Sequence, residues 1–188
     1  MNEIEIEGGL KIKLNDDNTA SVTESPKVQG DVFIPRIVTH QSKEYKITSL
    51  SGRAFEYSKI ESITFPDDSE VDTFKEGFLY FTQIKKLQIP AKLKKIQYSS
   101  WVYNTKLSTI EVSPKNKNFQ LYNNQFLLGK SDDKSDTFDT LYLARSDIKE
   151  AIIPPQVKII KDHSFYSYNI LKTMIFPDNS EAKRVERD

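Results

Sequence analysis

Two histidines and three acidic groupings are the side chains of this sequence that could hold a metal or move a proton. They are His40 and His163, then Asp16 with Asp17, Asp67 with Asp68, and Asp132 with Asp133 and Asp136. Neither histidine has a cysteine, a second histidine or a carboxylate at the spacing that zinc ligands keep, so both read as surface or turn residues. The acidic groups lack the central glycine and distant glutamate of a calcium-binding EF-hand loop, and they read as solvated turns. The six glycines form neither a G-x-G-x-x-G nor a phosphate-binding loop, and there is no G-x-S-x-G elbow. With no cysteine, thiolate catalysis, disulfides and Cys-ligated metals are excluded together. The expectation is no catalytic residue, no cofactor and no metal.

Charge narrows the partners further. The 27 basic and 27 acidic side chains cancel, whereas neutralising phosphates needs a basic face, so nucleic acid is not an expected partner. The opening residues, MNEIEIEGGL, are not a basic start followed by an apolar core. Nor does any stretch reach the roughly 18 uninterrupted apolar residues of a membrane helix. As written, the chain reads as soluble, unprocessed and not inserted in a membrane. Leu, Ile, Val and Phe make up about 28% of it, above the level of disordered chains, so it can build a core in one domain.

That core is placed by a repeat. The segments KIESITFP, QIKKLQIP, KLSTIEVSP, IKEAIIP and LKTMIFP share one form: apolar, two residues, apolar, one residue, apolar, then proline or a near substitute. Their last apolar residues, Phe65, Ile89, Val112, Ile153 and Phe176, are separated by 24, 23, 41 and 23 residues. A second half-pattern repeats as well: an apolar residue, then a small residue and an aromatic four and five positions on. Leu50 leads Ala54 and Phe55, Ile96 leads Ser100 and Trp101, and Ile160 leads Ser164 and Phe165. Phe74, Gly77 and Phe78 form a unit one residue shorter.

Alternation at Ile63 and Phe65 puts both side chains on one face of a short strand, and the proline that follows cannot donate to a ladder. A unit of about 23 residues cannot bury its apolar positions alone, so stacked units must share a core. The expected fold is a leucine-rich-repeat solenoid, α/β or mainly β. Short parallel strands line one side, with turns and short helical or 3-10 segments on the other, and Phe55, Phe78, Trp101 and Phe165 form an aromatic spine.

The IP, aliphatic, aliphatic, small-aromatic order resembles the BspA-like leucine-rich repeat of surface antigens, over roughly residues 31–188. IPAKLKKIQYSSW and IPPQVKIIKDHSF are its best units, with Leu93 and Ile96, or Val157 and Ile160, in the expected places. Units of that family often carry cysteine three residues after the aromatic; here Ser58, Phe81, Asn104 and Tyr168 stand there. Residues 1–30 differ: Leu10, Ile12 and Leu14 alternate, NDDN turns, and Ala20 and Val22 alternate back, which predicts a β-hairpin cap. A β insertion is expected at about 116–145, with Ser131 to Asp136 as its exposed turn. FPDNSEAKRV at 176–185 aligns with FPDDSEVDTF at 65–74, so the last repeat is expected to be incomplete: either the chain is a fragment of a longer array, or the incomplete unit serves as the cap, or another subunit covers its end.

Two recognition surfaces follow. The strand face turned from the core should carry Ser62, Thr64, Lys86, Gln88, Thr109, Glu111, Glu150, Ile152, Thr173 and Ile175; the isoleucines, Ile152 and Ile175, favour contact with protein. Two residues after successive aromatics stand Tyr57, Tyr80 and Tyr103, a candidate ladder along one edge. The resemblance implies a non-enzymatic protein-binding domain at a cell surface or outside the cell, an adhesin or antigen contacting host cells or extracellular matrix. The alternative is an intracellular protein-protein interaction scaffold in the cytoplasm.

Overall fold

The computed structural model describes residues 2–97, 101, 104, 106–132, 134–165 and 170–186. The chain opens with β1 (Glu3–Ile6), a 3-10 turn at Glu7–Gly9, β2 (Leu10–Leu14), β3 (Thr19–Val22) and β4 (Gln29–Phe33). It continues through β5 (Ile37–His40), β6 (Lys43–Leu50), β7 (Lys59–Thr64), β8 (Thr73–Phe74), β9 (Lys86–Ile89), β10 (Lys95–Ile96) and β11 (Thr109–Val112). Beyond these lie β12 (Phe119–Tyr122), β13 (Phe126–Gly129), β14 (Thr140–Ala144), β15 (Glu150–Ile152), β16 (Ile159–Ile160), β17 (Thr173–Ile175) and β18 (Arg184–Val185).

These strands wind a β-solenoid. Each coil runs up one side as a strand, turns near the proline, and returns as a second strand, which is two residues long in β8, β10, β16 and β18. On the first side β4, β7, β9 and β11 stack in parallel, and their register aligns Val32, Ile63, Leu87 and Ile110 as one inward row. On the return side β3, β6, β8 and β10 stack in parallel, aligning Leu50 and Phe74 with Ile96. Every residue of the first row is buried. Stacking identical positions lets few apolar residues make a continuous core, because each row is shared by its neighbours.

The return side corrects one expectation. It holds short strands and hydrogen-bonded turns, and the 3-10 turn near the N-terminus is the one helical segment among the described residues. The turns cannot run on as helix because each contains a left-handed residue: Arg53 (φ 59°), Gly77 (φ 65°) and His163 (φ 56°). Leu79, rather than Phe78, stands in the place of Phe55 and Trp101, and Phe78 packs on Phe74, with ring centroids 4.6 Å apart.

At the N-terminal end β2 pairs antiparallel with β3, setting Ile12 opposite Val22 and Leu14 opposite Ala20, and β1 covers the outer edge of β2. The β12–β13–β14 meander interrupts the stack after the coil of β11. All four residues of β13 are buried, because both of its faces pack. Leu127, with Phe119 and Leu143, joins the core of the earlier coils. Phe126 and Leu128, with Leu141, join that of the later ones. Asn116 ties the meander back: its amide donates to the Pro90 and Leu93 carbonyls at 2.7 and 3.2 Å, and its Oδ1 accepts the N–H groups of Asn118 and Phe119 at 2.8 Å. After the meander, β15 and β17 resume the first side, and β14, β16 and β18 the return side, all in parallel. The aligned FPD segments form the same turn, with Ser69 N–H donating to the Pro66 carbonyl and Ser180 N–H to that of Pro177.

Candidate protein-binding surface

The turns that close each coil project side chains along one edge of the solenoid, and backbone bonds between coils set their register. Phe55 N–H donates to the Phe78 carbonyl and Tyr57 N–H to the Tyr80 carbonyl. Within the turns, Glu56 N–H reaches the Arg53 carbonyl and Ser58 N–H that of Phe55. One coil on, Tyr80 reaches Gly77 and Thr82 reaches Leu79. The equivalent pairs are therefore Arg53 with Gly77, Phe55 with Leu79, Tyr57 with Phe81 and Ser58 with Thr82.

The structure thus places Phe81, rather than Tyr80, in the row with Tyr57. The two rings stack at 4.8 Å with 12° between their planes. Both residues lie at positive φ, 58° and 54°, and both are exposed, Tyr57 by 65% and Phe81 by 38%. Tyr80 sits beside the pair, edge-on to Phe81 at 6.3 Å, with its ring over Gly77, where a Cβ would come within 2.9 Å. Tyr103 and Tyr168 lie outside the described residues. The same register corrects the row where family relatives carry cysteine: it is Ser58, Thr82 and Asn104, all buried, with the Asn104 amide donating to the Thr82 hydroxyl at 3.1 Å.

The outward strand face is more self-satisfied than the sequence suggested. Ser62 is buried and donates to Asp31 at 2.6 Å, and Thr64 donates to the Val32 carbonyl at 3.4 Å. Gln88 Oε1 accepts the Phe65 N–H at 2.6 Å, and Lys86 pairs with Glu111 at 2.8 Å. Ile152 and Ile175 are exposed and directly opposite one another on β15 and β17. Sequence reading missed Phe33, an exposed ring opposite Thr64 in the same outward face. The signal was present, since Phe33 alternates against the inward Val32 and Ile34.

Charges flank this face as pairs. Arg36 bridges Asp68 at 3.3 Å and Glu70 at 3.2 Å, and Lys92 reaches Glu70 at 2.6 Å. The Lys92 hydrogen bond, with help from Arg36 and against partial burial, holds the Glu70 carboxyl below the usual range. His163 Nδ1 lies 2.6 Å from Asp162. Among the described residues, no three His, Asp or Glu side chains gather where a metal ion could be held, and no helix is long and apolar enough to cross a membrane.

A run of parallel coils with the IP-aliphatic-aliphatic unit defines a leucine-rich-repeat protein. The BspA type leucine rich repeat region matches residues 36–127 and 136–184 in six copies, and the chain belongs to that family. No curated protein sequence matches it. A leucine-rich repeat protein from Eubacterium ventriosum superposes with a TM-score of 0.54 at 16% identity, over 93% of this chain and 59% of that one. A leucine rich cell surface protein from Faecalibacterium prausnitzii aligns at 16% identity over 98% and 76%, with a TM-score of 0.46. The pneumococcal vaccine antigen PcpA aligns at 14% identity over 98% and 70%, with a TM-score of 0.37. The chain thus spans about three quarters of one of these proteins and less than two thirds of another.

Proposed function

We propose that the chain is a non-enzymatic binding domain that holds a protein ligand against the aromatic edge formed by Tyr57 and Phe81, and that it works at a cell surface on host cells or extracellular matrix. Strain carries this reading. Holding a residue other than glycine in the left-handed region costs about 1–2 kcal/mol, and the solenoid accepts that cost twice to keep two stacked rings in solvent. Preset rings of this kind lose little entropy on binding and gain by being covered. Tyr80 buttresses them. Lys86, Gln88 and Glu111 on β9 and β11, and the exposed Ile152 and Ile175 on β15 and β17, are further candidate contacts on the outward strand face. The surface location rests on membership of a repeat family of surface antigens.

The test is binding of the purified chain to a panel of extracellular-matrix proteins and to intact host cells, alongside a Tyr57→Ser/Phe81→Ser variant. Loss of at least about tenfold in affinity, or about 1.4 kcal/mol, with an unchanged circular dichroism spectrum supports the aromatic edge; equal binding by the two proteins overturns it. Protease shaving of intact cells checks location, which an unlabelled, protected protein would refute.

A further inference from the structure

The Tyr57 and Phe81 rings sit among charges that are unevenly matched, and backbone register fixes which side chains stand beside them. Ser25 N–H donates to the Ala54 carbonyl as Phe55 N–H donates to that of Phe78, and Gln29 is aligned with Lys59 in the β4 and β7 ladder. Lys27 therefore holds the place of Tyr57 one coil earlier. Gln83 follows Lys59 one coil later, since Tyr57 N–H donates to Tyr80 and Ser62 is aligned with Lys86. Two rows of exposed side chains result, one of Lys27, Tyr57 and Phe81, the other of Gln29, Lys59 and Gln83. The carboxylates next in sequence are already engaged. Glu56 lies 3.9 Å from Arg53, Glu61 lies 2.9 Å from Lys85, and Asp31 accepts the Ser62 hydroxyl at 2.6 Å. Lys27 and Lys59, by contrast, pair with no carboxylate among the described residues. The remaining charges of these turns, Glu24, Lys75 and Glu76, fall outside both rows.

We infer that the protein ligand of this edge is acidic where it meets these turns: one of its apolar side chains covers the Tyr57 and Phe81 rings, and carboxylates on either side of that anchor reach Lys27 and Lys59. The inference rests on the aromatic-edge reading and adds the chemistry of the partner. Covering the rings draws water away from both ammonium groups. A carboxylate placed there gains a charge-assisted hydrogen bond, whereas a ligand that is neutral or basic at the same points buries the lysines unpaired. The lysines thus select by rejection as well as by attraction. Gln29 and Gln83, at the two ends of the second row, carry amides that both donate and accept, which suits them to the main chain of the bound segment.

Fluorescence anisotropy on the intact chain tests this with labelled peptides of equal length. One carries a central leucine-phenylalanine pair flanked by glutamates, another the same pair flanked by lysines, and a third has glycines in place of the apolar pair between glutamates. The first is expected to bind at least about tenfold more tightly than either of the others at low salt, and its advantage over the second to shrink as salt rises. Lys27→Glu/Lys59→Glu, at two exposed positions, should reverse the preference between the first two peptides with an unchanged circular dichroism spectrum. Failure of the first peptide to outbind the others, a preference indifferent to the double charge reversal, or binding of heparin in place of the acidic peptide overturns the proposal. The matrix and cell assay separates this inference from the reading beneath it. A ligand lost by Tyr57→Ser/Phe81→Ser but kept by Lys27→Glu/Lys59→Glu leaves the aromatic edge standing and removes its acidic partner.

Discussion

Asn104 donates its side-chain amide to the Thr82 hydroxyl at 3.1 Å inside the core, and Thr82 passes its own proton to the Leu79 carbonyl at 3.0 Å. One coil earlier in the same row, the Ser58 hydroxyl is buried with no hydrogen-bond partner among the described residues. Three polar residues thus replace a row of small hydrophobes, and only two of them are satisfied. Thr82→Val should cost about 1–3 kcal/mol, since it strands the Asn104 amide, whereas Ser58→Ala should be neutral or stabilising. Urea unfolding midpoints of the two variants distinguish these effects.

Arg53 and Gly77 occupy the same left-handed place in successive turns. Arg53→Gly should raise stability by up to about 1 kcal/mol, the relief of strain being partly offset by the flexibility glycine adds to the unfolded chain. Gly77→Ala should lower it by at least about 1 kcal/mol, through both its φ and its approach to the Tyr80 ring. Thermal melts of the pair check the contrast.

Leu127 and Leu128 are adjacent in sequence and face different cores. Each truncation to alanine should cost about 2–5 kcal/mol. The losses should appear in different places: hydrogen exchange should accelerate in β7, β9 and β11 for Leu127→Ala, and in β14 and β16 for Leu128→Ala. Equal acceleration throughout would mean the two cores open as one unit.

Asp139 has a side chain only 3% exposed and lies 3.6 Å from Lys158. Burial pushes its pKa up, but the hydrogen bonds from the Ser131 hydroxyl and N–H and the charge of Lys158 more than offset this, leaving it below 3.8. A carboxyl depressed in the folded state contributes stability above its unfolded value, and that stability is lost as pH falls through the folded value. Glu70 acts in the same direction from its ordinary 4.5. Urea midpoints should therefore be level near neutral pH and fall on acidification below about 4.5, with a shallower fall for Asp139→Asn.

Much of this fold was legible because a solenoid repeats its physics at fixed spacing. The proline after Phe65, Ile89, Ile153 or Phe176 ends a strand in each unit, and the alternating pair before it marks the inward face. The candidate surface was less legible. Counting two residues on from Phe55 and Phe78 gave Tyr57 and Tyr80, but the left-handed Gly77 fills the place of Arg53 and shifts the later turn by one residue, so Phe81 takes the exposed site. Phe33 was overlooked because its unit lies before the first complete motif.

The sequence by itself determined the coil length, the inward rows and the family, since each depends on residue type and spacing within a single unit. Only the tertiary structure decided what happens between units: that Tyr57 stacks on Phe81, that β13 is buried on both faces, and that Asn104 finds Thr82. Those relationships join residues a whole coil apart or more, and hydrogen-bond register between strands, which no local pattern encodes, sets which of them meet.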